Sequence, residues 1–289
     1  MERDINRRFR ERLARRDALI VPGAANALAA RVIADLGFEA VYVTGAGITN
    51  TFLGIPDLSF VSLTELAQHT AAMRDAVDLP LVVDADTGFG NALNVRHTVQ
   101  VLERAGASAI QLEDQVLPKR CGHFSGKAVV AAGEMVGKVK AAVDARRDPD
   151  LLIIARTDAR AVEGFDAAIE RAQRYIAAGA DLTFVEAPES VAEIDRIPEL
   201  LAAPQVVNMV VGGKTPIIDQ KDLAAKRYAL VLYANAALQG AIHGMQTALG
   251  LLKREGRLDE TAPLTGFAER QRLVQKPLFD ALEKRYAGE

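Results

Sequence analysis

One basic, glycine-containing stretch, residues 117–127, holds the side chains with the greatest potential for chemistry. It reads Leu-Pro-Lys-Arg-Cys-Gly-His-Phe-Ser-Gly-Lys and contains Cys121, the only cysteine in 289 residues. A lone cysteine is commonly a small, buried and inert hydrophobe, but the neighbouring Lys119, Arg120 and His123 make burial unfavourable here. Neighbouring cations also lower the pKa of a thiol and favour its thiolate. The proline and two glycines indicate a loop, so we predict a functional thiol on a loop.

A second group of residues, Asp84, Asp86 and Glu113, predicts a cation site. Asp84 and Asp86 follow the apolar run 81–83, and alternate residues of a strand point to the same side. Clustered carboxylates repel one another unless a cation or a proton lies between them. Oxygen ligands without histidine or cysteine favour Mg²⁺, with Mn²⁺ possible, over zinc. We expect Asp84 to be the direct ligand and the other two to act partly through water; the alternative is a carboxylate set held by Arg156 or Lys119.

The elements that must position these residues alternate along the chain. Short apolar runs rich in valine, isoleucine and leucine occupy residues 19–21, 40–43, 81–83, 109–112, 151–155, 182–185, 205–209 and 228–232. Segments with helical spacing lie between them, at 26–36, 63–76, 92–105, 133–145, 166–178, 191–201 and 219–225, after a charged leading helix at 4–16. Uniformly apolar runs are typical of parallel strands covered on both faces. Eight of them predict an α/β fold, a (β/α)8 barrel, whose usual length is about 250 residues.

Polar residues follow six consecutive strands of this predicted barrel. They are Thr44-Gly45-Ala46, Asp84 with Asp86, Glu113-Asp114, Arg156-Thr157-Asp158, Glu186 and Asn208. Any single one could cap the helix that follows it. Active sites of such barrels lie at the C-terminal strand ends, so the series predicts one cavity there. A non-catalytic barrel remains an open alternative.

The composition excludes several classes of protein. Hydrophobic residues make up 49% and charged residues 25%, and the net charge is −3. This is ordinary for a soluble domain and gives no basic face for nucleic acid. One cysteine cannot form an internal disulfide, which indicates a cytoplasmic setting. No signal peptide or membrane span is expected, and no change of composition divides residues 1–289 into separate domains.

Four motifs carry a resemblance to a known family. They are Asp-Ala-Asp-Thr-Gly-Phe-Gly at 84–90, Gln-Leu-Glu-Asp-Gln at 111–115, Lys-Arg-Cys-Gly-His at 119–123 and Ala-Arg-Thr-Asp-Ala at 155–159. In this order, and over about residues 19–252, the chain resembles the isocitrate lyase/phosphoenolpyruvate mutase superfamily. The Lys-Arg-Cys-Gly-His motif is similar to that of the carbon–carbon lyase branch.

The resemblance implies an activity and an assembly. The activity is that of a Mg²⁺-dependent lyase, which cleaves a 2-hydroxy di- or tricarboxylate of the 2-methylisocitrate or substituted-malate type by retro-aldol chemistry. The assembly is a homotetramer, a dimer of dimers in which neighbouring subunits exchange the eighth outer helix. Residues 234–289 would supply that helix and its tail.

The resemblance also implies roles for individual residues. Cys121 would be the general acid on the loop, where Gly122 and His123 would meet the distal carboxylate and Lys119 would attract the anionic substrate. Arg156 would bind the 2-oxo acid portion. The other implied roles are carboxylate binding by Thr44, Gly45 and Ala46, metal-shell contact by Asp57, and binding at the far end of the pocket by Glu186 and Asn208. The base that takes the 2-hydroxyl proton is left open between Tyr42 and Glu186.

The sequence departs from the lyase pattern at two places in the pocket wall. Val211 stands where the family commonly has glutamate, and residues 233–237 read Tyr-Ala-Asn-Ala-Ala where a Pro-Leu-Ser/Thr run is frequent. The substrate is therefore left open, and three alternative activities stay in view. They are an oxaloacetate decarboxylase, an oxaloacetate hydrolase and an enzyme of phosphonopyruvate or phosphoenolpyruvate phosphonate-bond chemistry.

Overall fold

Eight parallel strands form a closed barrel in the computed structural model, which describes residues 2–120, 122 and 126–287. The strands are β1 (Leu19–Ala24), β2 (Val41–Val43), β3 (Leu81–Asp84), β4 (Ala109–Glu113), β5 (Leu152–Thr157), β6 (Leu182–Val185), β7 (Gln205–Asn208) and β8 (Leu230–Tyr233). Each strand pairs with the next along the chain, and β8 closes the barrel against β1. The predicted (β/α)8 barrel is confirmed, because every apolar run became a strand.

Helices connect the strands and cover the outside of the barrel. They are α1 (Glu2–Ala14), α2 (Ala27–Asp35), α3 (Gly45–Ile48), α4 (Leu63–Ala76), α5 (Ala92–Arg104), α6 (Ala132–Ala145), α7 (Phe165–Ala177), α8 (Val191–Leu200), α9 (Gln220–Ala225), α10 (Ala236–Glu255), α11 (Phe267–Leu273) and α12 (Lys276–Tyr286). A π-helical turn (Thr49–Leu53) continues α3, and a 3-10 turn (Ala159–Ala161) follows β5. The sequence pattern did not predict α3 or the π-helical turn, since these nine residues of mixed polarity show no helical periodicity.

Strand residues alternate between two packing layers. Tyr42 of β2 belongs to the cluster inside the barrel, whereas its neighbours Val41 and Val43 pack with the surrounding helices. Phe9 and Leu13 of α1 join the inner cluster and are almost fully buried. The first helix therefore closes the N-terminal end of the barrel with apolar side chains.

The three C-terminal helices, α10, α11 and α12, lie largely exposed on this single chain. Only Ala248 is buried in α10, and none of the residues of α11 and α12 is buried. Their exposed apolar side chains are Ile242, Met245, Leu249, Leu252, Phe267, Leu278, Phe279 and Tyr286. Contiguous exposed apolar area is typical of interaction surfaces. Exchange of a helix between subunits stays a prediction.

Within the described residues, none of the helices combines the length and the apolar character that crossing a membrane requires.

Candidate active site

A cavity of about 210 Å³ lies at the C-terminal mouth of the barrel. It is lined by residues that the sequence singled out as the ends of different strands, together with the loop that follows β4. Those lining residues are Tyr42, Thr44, Ala46, Asp57, Asp84, Lys119, Gly122, Arg156, Glu186 and Asn208. The convergence of these side chains on one mouth agrees with the location of active sites in this fold.

The carboxylates of Asp84 and Asp86 come together at Gly45, but not by the route the sequence suggested. A Cβ built on Gly45 would lie 3.4 Å from Asp84 Oδ2 and 3.5 Å from Asp86 Oδ1. Strand β3 ends at Asp84, and Asp86 lies in the turn beyond it with a φ of 48°. Strand alternation was therefore the wrong reason, because a left-handed turn brings the second carboxylate back to the first.

The ammonium group of Lys119 lies among the carboxylates. Its Nζ is 2.5 Å from Asp57 Oδ2 and 2.9 Å from Asp86 Oδ1. Burial raises the pKa of Asp86 to about 7, with Lys119 opposing the shift and the charges of Asp84 and Asp57 adding to it. In the parts of the chain that the structure describes, no three histidine, cysteine, aspartate or glutamate side chains surround one point as metal ligands would. The alternative from the sequence analysis, in which a lysine pairs with the carboxylates, thus describes part of this site. The four predicted metal ligands, Asp57, Asp84, Asp86 and Glu113, do not surround a single point.

The residues nevertheless fit a cation that takes few protein ligands. Glu113 is buried, and among the described residues its Oε1 accepts no hydrogen bond. Burial also raises the pKa of Glu113 well above its usual range, with Arg156 opposing that shift. Mg²⁺ commonly keeps several waters and binds through one or two carboxylates and substrate oxygens. The carboxylates of Asp86 and Glu113 beside Asp84 leave ligand positions free for water and substrate, and this arrangement suits such an ion better than a site made only of protein ligands would.

Arg156 is the central cation of the other half of the pocket. It is the β5 partner of Glu113 on β4, and its Nη1 lies 3.4 Å from Glu113 Oε2. Asp158 holds the guanidinium from the other side, accepting from Nε at 2.9 Å and from Nη2 at 3.1 Å. The guanidinium also stacks over Phe184, 5.4 Å from the ring centre. These contacts fix the plane of Arg156 in the site.

Tyr42 lies under the carboxylates, with its hydroxyl accepting from Gln111 Nε2 at 3.0 Å. Burial raises the pKa of Tyr42 well above its ordinary value, and the charge of Asp84 raises it further. The phenol therefore stays protonated near neutral pH. This environment suits a hydrogen-bond donor, and the role of base stays a prediction for Tyr42 and for Glu186.

Gly122 packs directly on the polar floor of the pocket. A Cβ at this position would lie 2.5 Å from Arg156 Nη2 and closer still to Glu186 Oε1, so only glycine allows this approach. Cys121 and His123, its neighbours in sequence, lie outside the described residues. Their predicted roles as general acid and as carboxylate ligand stay predictions.

Thr44 begins helix α3 and contacts the strand-eight end. Its Oγ1 accepts from Gly47 N at 3.1 Å and lies 3.4 Å from Asn235 Oδ1. Asn208 lines the far wall, where its Oδ1 is buried and, among the described residues, accepts no hydrogen bond. Thr44 and Ala46 line the cavity, and carboxylate binding by Thr44, Gly45 and Ala46 stays a prediction.

Four buried polar residues support the site in roles that the sequence analysis did not assign. Gln111 supports Tyr42 and Asp84, and Gln115 bonds the backbone of Arg120 through both atoms of its amide. Asp114 and Asp158 join β4 to β5. A polar residue inside an otherwise apolar strand, such as Gln111, is a signal that could have been read from the sequence.

The fold and the mouth site together define an enzyme of the (β/α)8-barrel class. A family model described as phosphoenolpyruvate phosphomutase matches residues 9–252. The chain belongs to the phosphoenolpyruvate mutase/isocitrate lyase superfamily.

Two curated relatives match most of the chain. The 2,3-dimethylmalate lyase of Eubacterium barkeri is 43% identical over 284 residues, which are 97% of this chain and 97% of that protein. The 2-methylisocitrate lyase of Aeropyrum pernix is 46% identical over 248 residues, 86% of this chain and 80% of that protein.

Solved structures of the same superfamily superpose over nearly the whole chain. A 2,3-dimethylmalate lyase has a TM-score of 0.92 at 30% identity and covers 98% of this chain and 96% of its own. An oxaloacetate acetylhydrolase in complex with 3,3-difluorooxalacetate has a TM-score of 0.89 at 32% identity, covering 99% of this chain and 98% of its own. A phosphonopyruvate hydrolase in complex with oxalate and Mg²⁺ has a TM-score of 0.88 at 30% identity, covering 98% of this chain and 99% of its own.

Proposed function

We propose that this protein is a Mg²⁺-dependent carbon–carbon lyase. Its substrate would be a 2-hydroxy di- or tricarboxylate of the substituted-malate or 2-methylisocitrate type, cleaved to a 2-oxo acid and a second carboxylic acid. One observation carries the proposal: Asp84 and the buried cation Arg156 line a single cavity, and the carboxylate of Asp86 lies beside that of Asp84 at Gly45. The two lyase relatives support the same reaction class.

The cavity offers distinct partners for the two ends of such a substrate. Arg156 would bind the 2-oxo acid portion, because its guanidinium is fixed by Asp158 and faces the pocket. The hydroxyl of Thr44 and the N–H groups of Gly45 and Ala46 would hold a carboxylate near the metal. Gly122 would approach the distal carboxylate, since its backbone already lies over the pocket floor.

Asp84 would hold the Mg²⁺ ion directly, and Asp86, Glu113 and Asp57 would surround it through water. The ion would supply positive charge where the 2-oxygen develops negative charge. A phosphonopyruvate hydrolase of the same fold has been solved with oxalate and Mg²⁺, which supports the choice of ion. Mn²⁺ has similar ligand preferences and could replace it.

The reaction needs one base and one acid from the chain. A base takes the proton of the 2-hydroxyl group, the C2–O bond becomes a carbonyl, and the C2–C3 bond breaks. Its electron pair moves onto C3 and forms the enediolate of the second carboxylate, which then takes up a proton. Tyr42 and Glu186 are the candidate bases, and Cys121 is the proposed acid.

The direct test is turnover of a small substrate panel by the purified protein with Mg²⁺. We expect a 2-oxo acid from 2,3-dimethylmalate, another 2-substituted malate or 2-methylisocitrate, detected by a coupled dehydrogenase and by mass spectrometry. Release of oxalate and acetate from oxaloacetate would instead favour the hydrolase activity, in keeping with the oxaloacetate acetylhydrolase neighbour. Release of pyruvate and carbon dioxide from oxaloacetate would indicate a decarboxylase. Phosphate release from phosphonopyruvate would indicate phosphonate-bond chemistry, and no turnover of any of these would overturn the proposal.

We also propose that the protein acts in the cytoplasm as a homotetramer, a dimer of helix-exchanged dimers. In this proposal residues 1–233 form the barrel and residues 234–289 form the exchanged helix and tail. The exposed apolar side chains of α10 and α12, such as Leu249 and Phe279, support a partner on this surface. Exchange of an identical element between protomers is a low-cost route to a dimer.

A further inference from the structure

Lys127 joins two parts of the site that belong to different segments of the chain. Its Nζ donates to Gly122 O at 2.5 Å and to Asp158 Oδ1 at 2.7 Å. The Lys127 side chain is 2% exposed and that of Asp158 is fully buried. An ammonium group buried this deeply needs its partners, because an unpaired charge in the interior is strongly unfavourable.

Asp158 is shared between this lysine and the substrate-binding arginine. One of its oxygens accepts from Arg156 Nε at 2.9 Å, and the other accepts from both Arg156 Nη2 and Lys127 Nζ. Burial alone would raise the pKa of Asp158, but the two cations lower it below its ordinary value. Asp158 is therefore a fixed anion with one cation on each side.

The contacts that run from Arg156 through Asp158 to Lys127 end at Gly122, which itself lies against Arg156. Its backbone approaches Arg156 and Glu186 so closely that a Cβ would collide with both side chains. The carbonyl of Gly122 has Lys127 as its donor, so the lysine decides where this backbone lies. On the N-terminal side, Gln115 already holds Arg120 through its backbone N–H and C=O.

We propose that Lys127 is a positioning residue that holds the Gly122 backbone against Arg156 and Glu186, with Asp158 as the shared acceptor. This inference rests on the proposed function only for its kinetic consequence. The lysine does not reach the substrate portion of the pocket and acts through Gly122. Loss of its contact releases the glycine, and a displacement of about 1 Å in a catalytic site can cost about 10²-fold in rate.

The test uses two single variants, their double variant and a control in the full-length protein. Lys127→Met keeps most of the side-chain volume but removes both hydrogen bonds. Gly122→Ala leaves Lys127 intact and displaces the same backbone by steric collision. The control is Lys140→Met, which removes an exposed lysine from α6.

Two readouts separate positioning from a general structural role. The first is amide hydrogen exchange of the protein without ligand, in which Lys127→Met should speed exchange in peptides covering residues 116–130 and leave the barrel strands as in the wild type. The second is kcat/KM on the best substrate found. Each single variant should lose about 10²-fold and the double variant about the same, because both changes break one contact. Lys140→Met should match the wild type in both.

Three results would overturn the proposal. They are wild-type exchange in Lys127→Met, loss of protection throughout the strands, and an additive loss of about 10⁴-fold in the double variant. If Lys127→Met does not fold, Gly122→Ala must still show faster exchange confined to residues 116–130. The exchange measurement needs no substrate. A wild-type protein that turns over nothing would therefore defeat the proposed lyase activity while leaving this contact testable.

Discussion

The carboxylate of Asp114, at the end of β4, accepts the backbone N–H of Asp158 beyond β5 at 2.9 Å. The same carboxylate accepts from Thr157 Oγ1 at 2.7 Å and from the Tyr175 hydroxyl at 2.8 Å. Thr157, Asp158 and Tyr175 are themselves fully buried, so their donor groups are shielded from solvent. The position of Asp158, and with it that of Arg156, depends on this buried acceptor.

Asp114→Ala should therefore destabilise the protein strongly. Several buried donors lose their acceptor, and each unsatisfied buried group costs about 1–3 kcal/mol. We expect a loss of about 3–5 kcal/mol in the free energy of unfolding, the range found when one partner of a buried charged network is removed. Urea unfolding followed by circular dichroism measures it. Tyr175→Phe, which removes one donor, should cost only about 1 kcal/mol, and equal losses in both variants would contradict this account.

Removal of divalent metal should abolish turnover. Treatment with a chelator should take away the cation that we propose Asp84 and Asp86 to hold, and added Mg²⁺ should restore the rate. Asp84→Asn should weaken Mg²⁺ binding in calorimetry, whereas Asp75→Asn, an exposed change on α4, should not. Full activity of the chelated enzyme would rule out a metal-dependent mechanism.

The buried pairs of Lys119 predict an unusual response to metal. Lys119→Met leaves Asp57 and Asp86 without their ammonium partner, and breaking a buried pair costs about 3–5 kcal/mol. Added Mg²⁺ should then raise the melting temperature of this variant more than that of the wild type, because the ion supplies the missing positive charge. Differential scanning fluorimetry with and without Mg²⁺ measures both values. Lys226→Met, which breaks a partly exposed pair with Asp195, should show the wild-type response.

Cys121→Ser tests the proposed general acid. Serine keeps the shape but is a much weaker acid, and losing a positioned acid typically lowers the rate by about 10²–10⁴. We expect turnover to fall by that factor while Mg²⁺ and oxalate still bind in calorimetry. Near-wild-type turnover would remove the thiol from the mechanism and favour the decarboxylase or phosphonate-bond alternatives.

The exposed face of α10 predicts that assembly can be broken by charge. Ile242, Met245 and Leu249 are 41%, 54% and 61% exposed on the single chain. Leu249→Lys should shift the protein from a tetramer toward smaller species in sedimentation velocity, since burying a lysine there is unfavourable. A wild-type protein that sediments as a monomer at micromolar concentration would contradict the proposed assembly itself.

Local sequence patterns predicted the barrel well because each strand is a short apolar run between segments with helical spacing. They also predicted the lining residues that stand at strand ends, such as Asp84, Arg156 and Glu186, since position at a strand end is a property of the chain near that residue. What they missed depends on contacts between distant segments. Asp86 reaches Asp84 only through a left-handed turn, and the bond between Lys127 and Asp158 spans 31 positions. No periodicity of the sequence encodes either one.

The apolar closure made by Phe9 and Leu13 at the N-terminal end of the barrel has a kinetic consequence. Because apolar side chains fill that end, the pocket would open only at the C-terminal mouth of the barrel, and both products of the proposed reaction would leave there one after the other. In the proposed reaction, the carboxylic acid formed near Gly122 would leave before the 2-oxo acid, which Arg156 would hold. Product inhibition would then be competitive for the 2-oxo acid and noncompetitive for the carboxylic acid. The closed N-terminal end of the barrel would thus impose an order of product release.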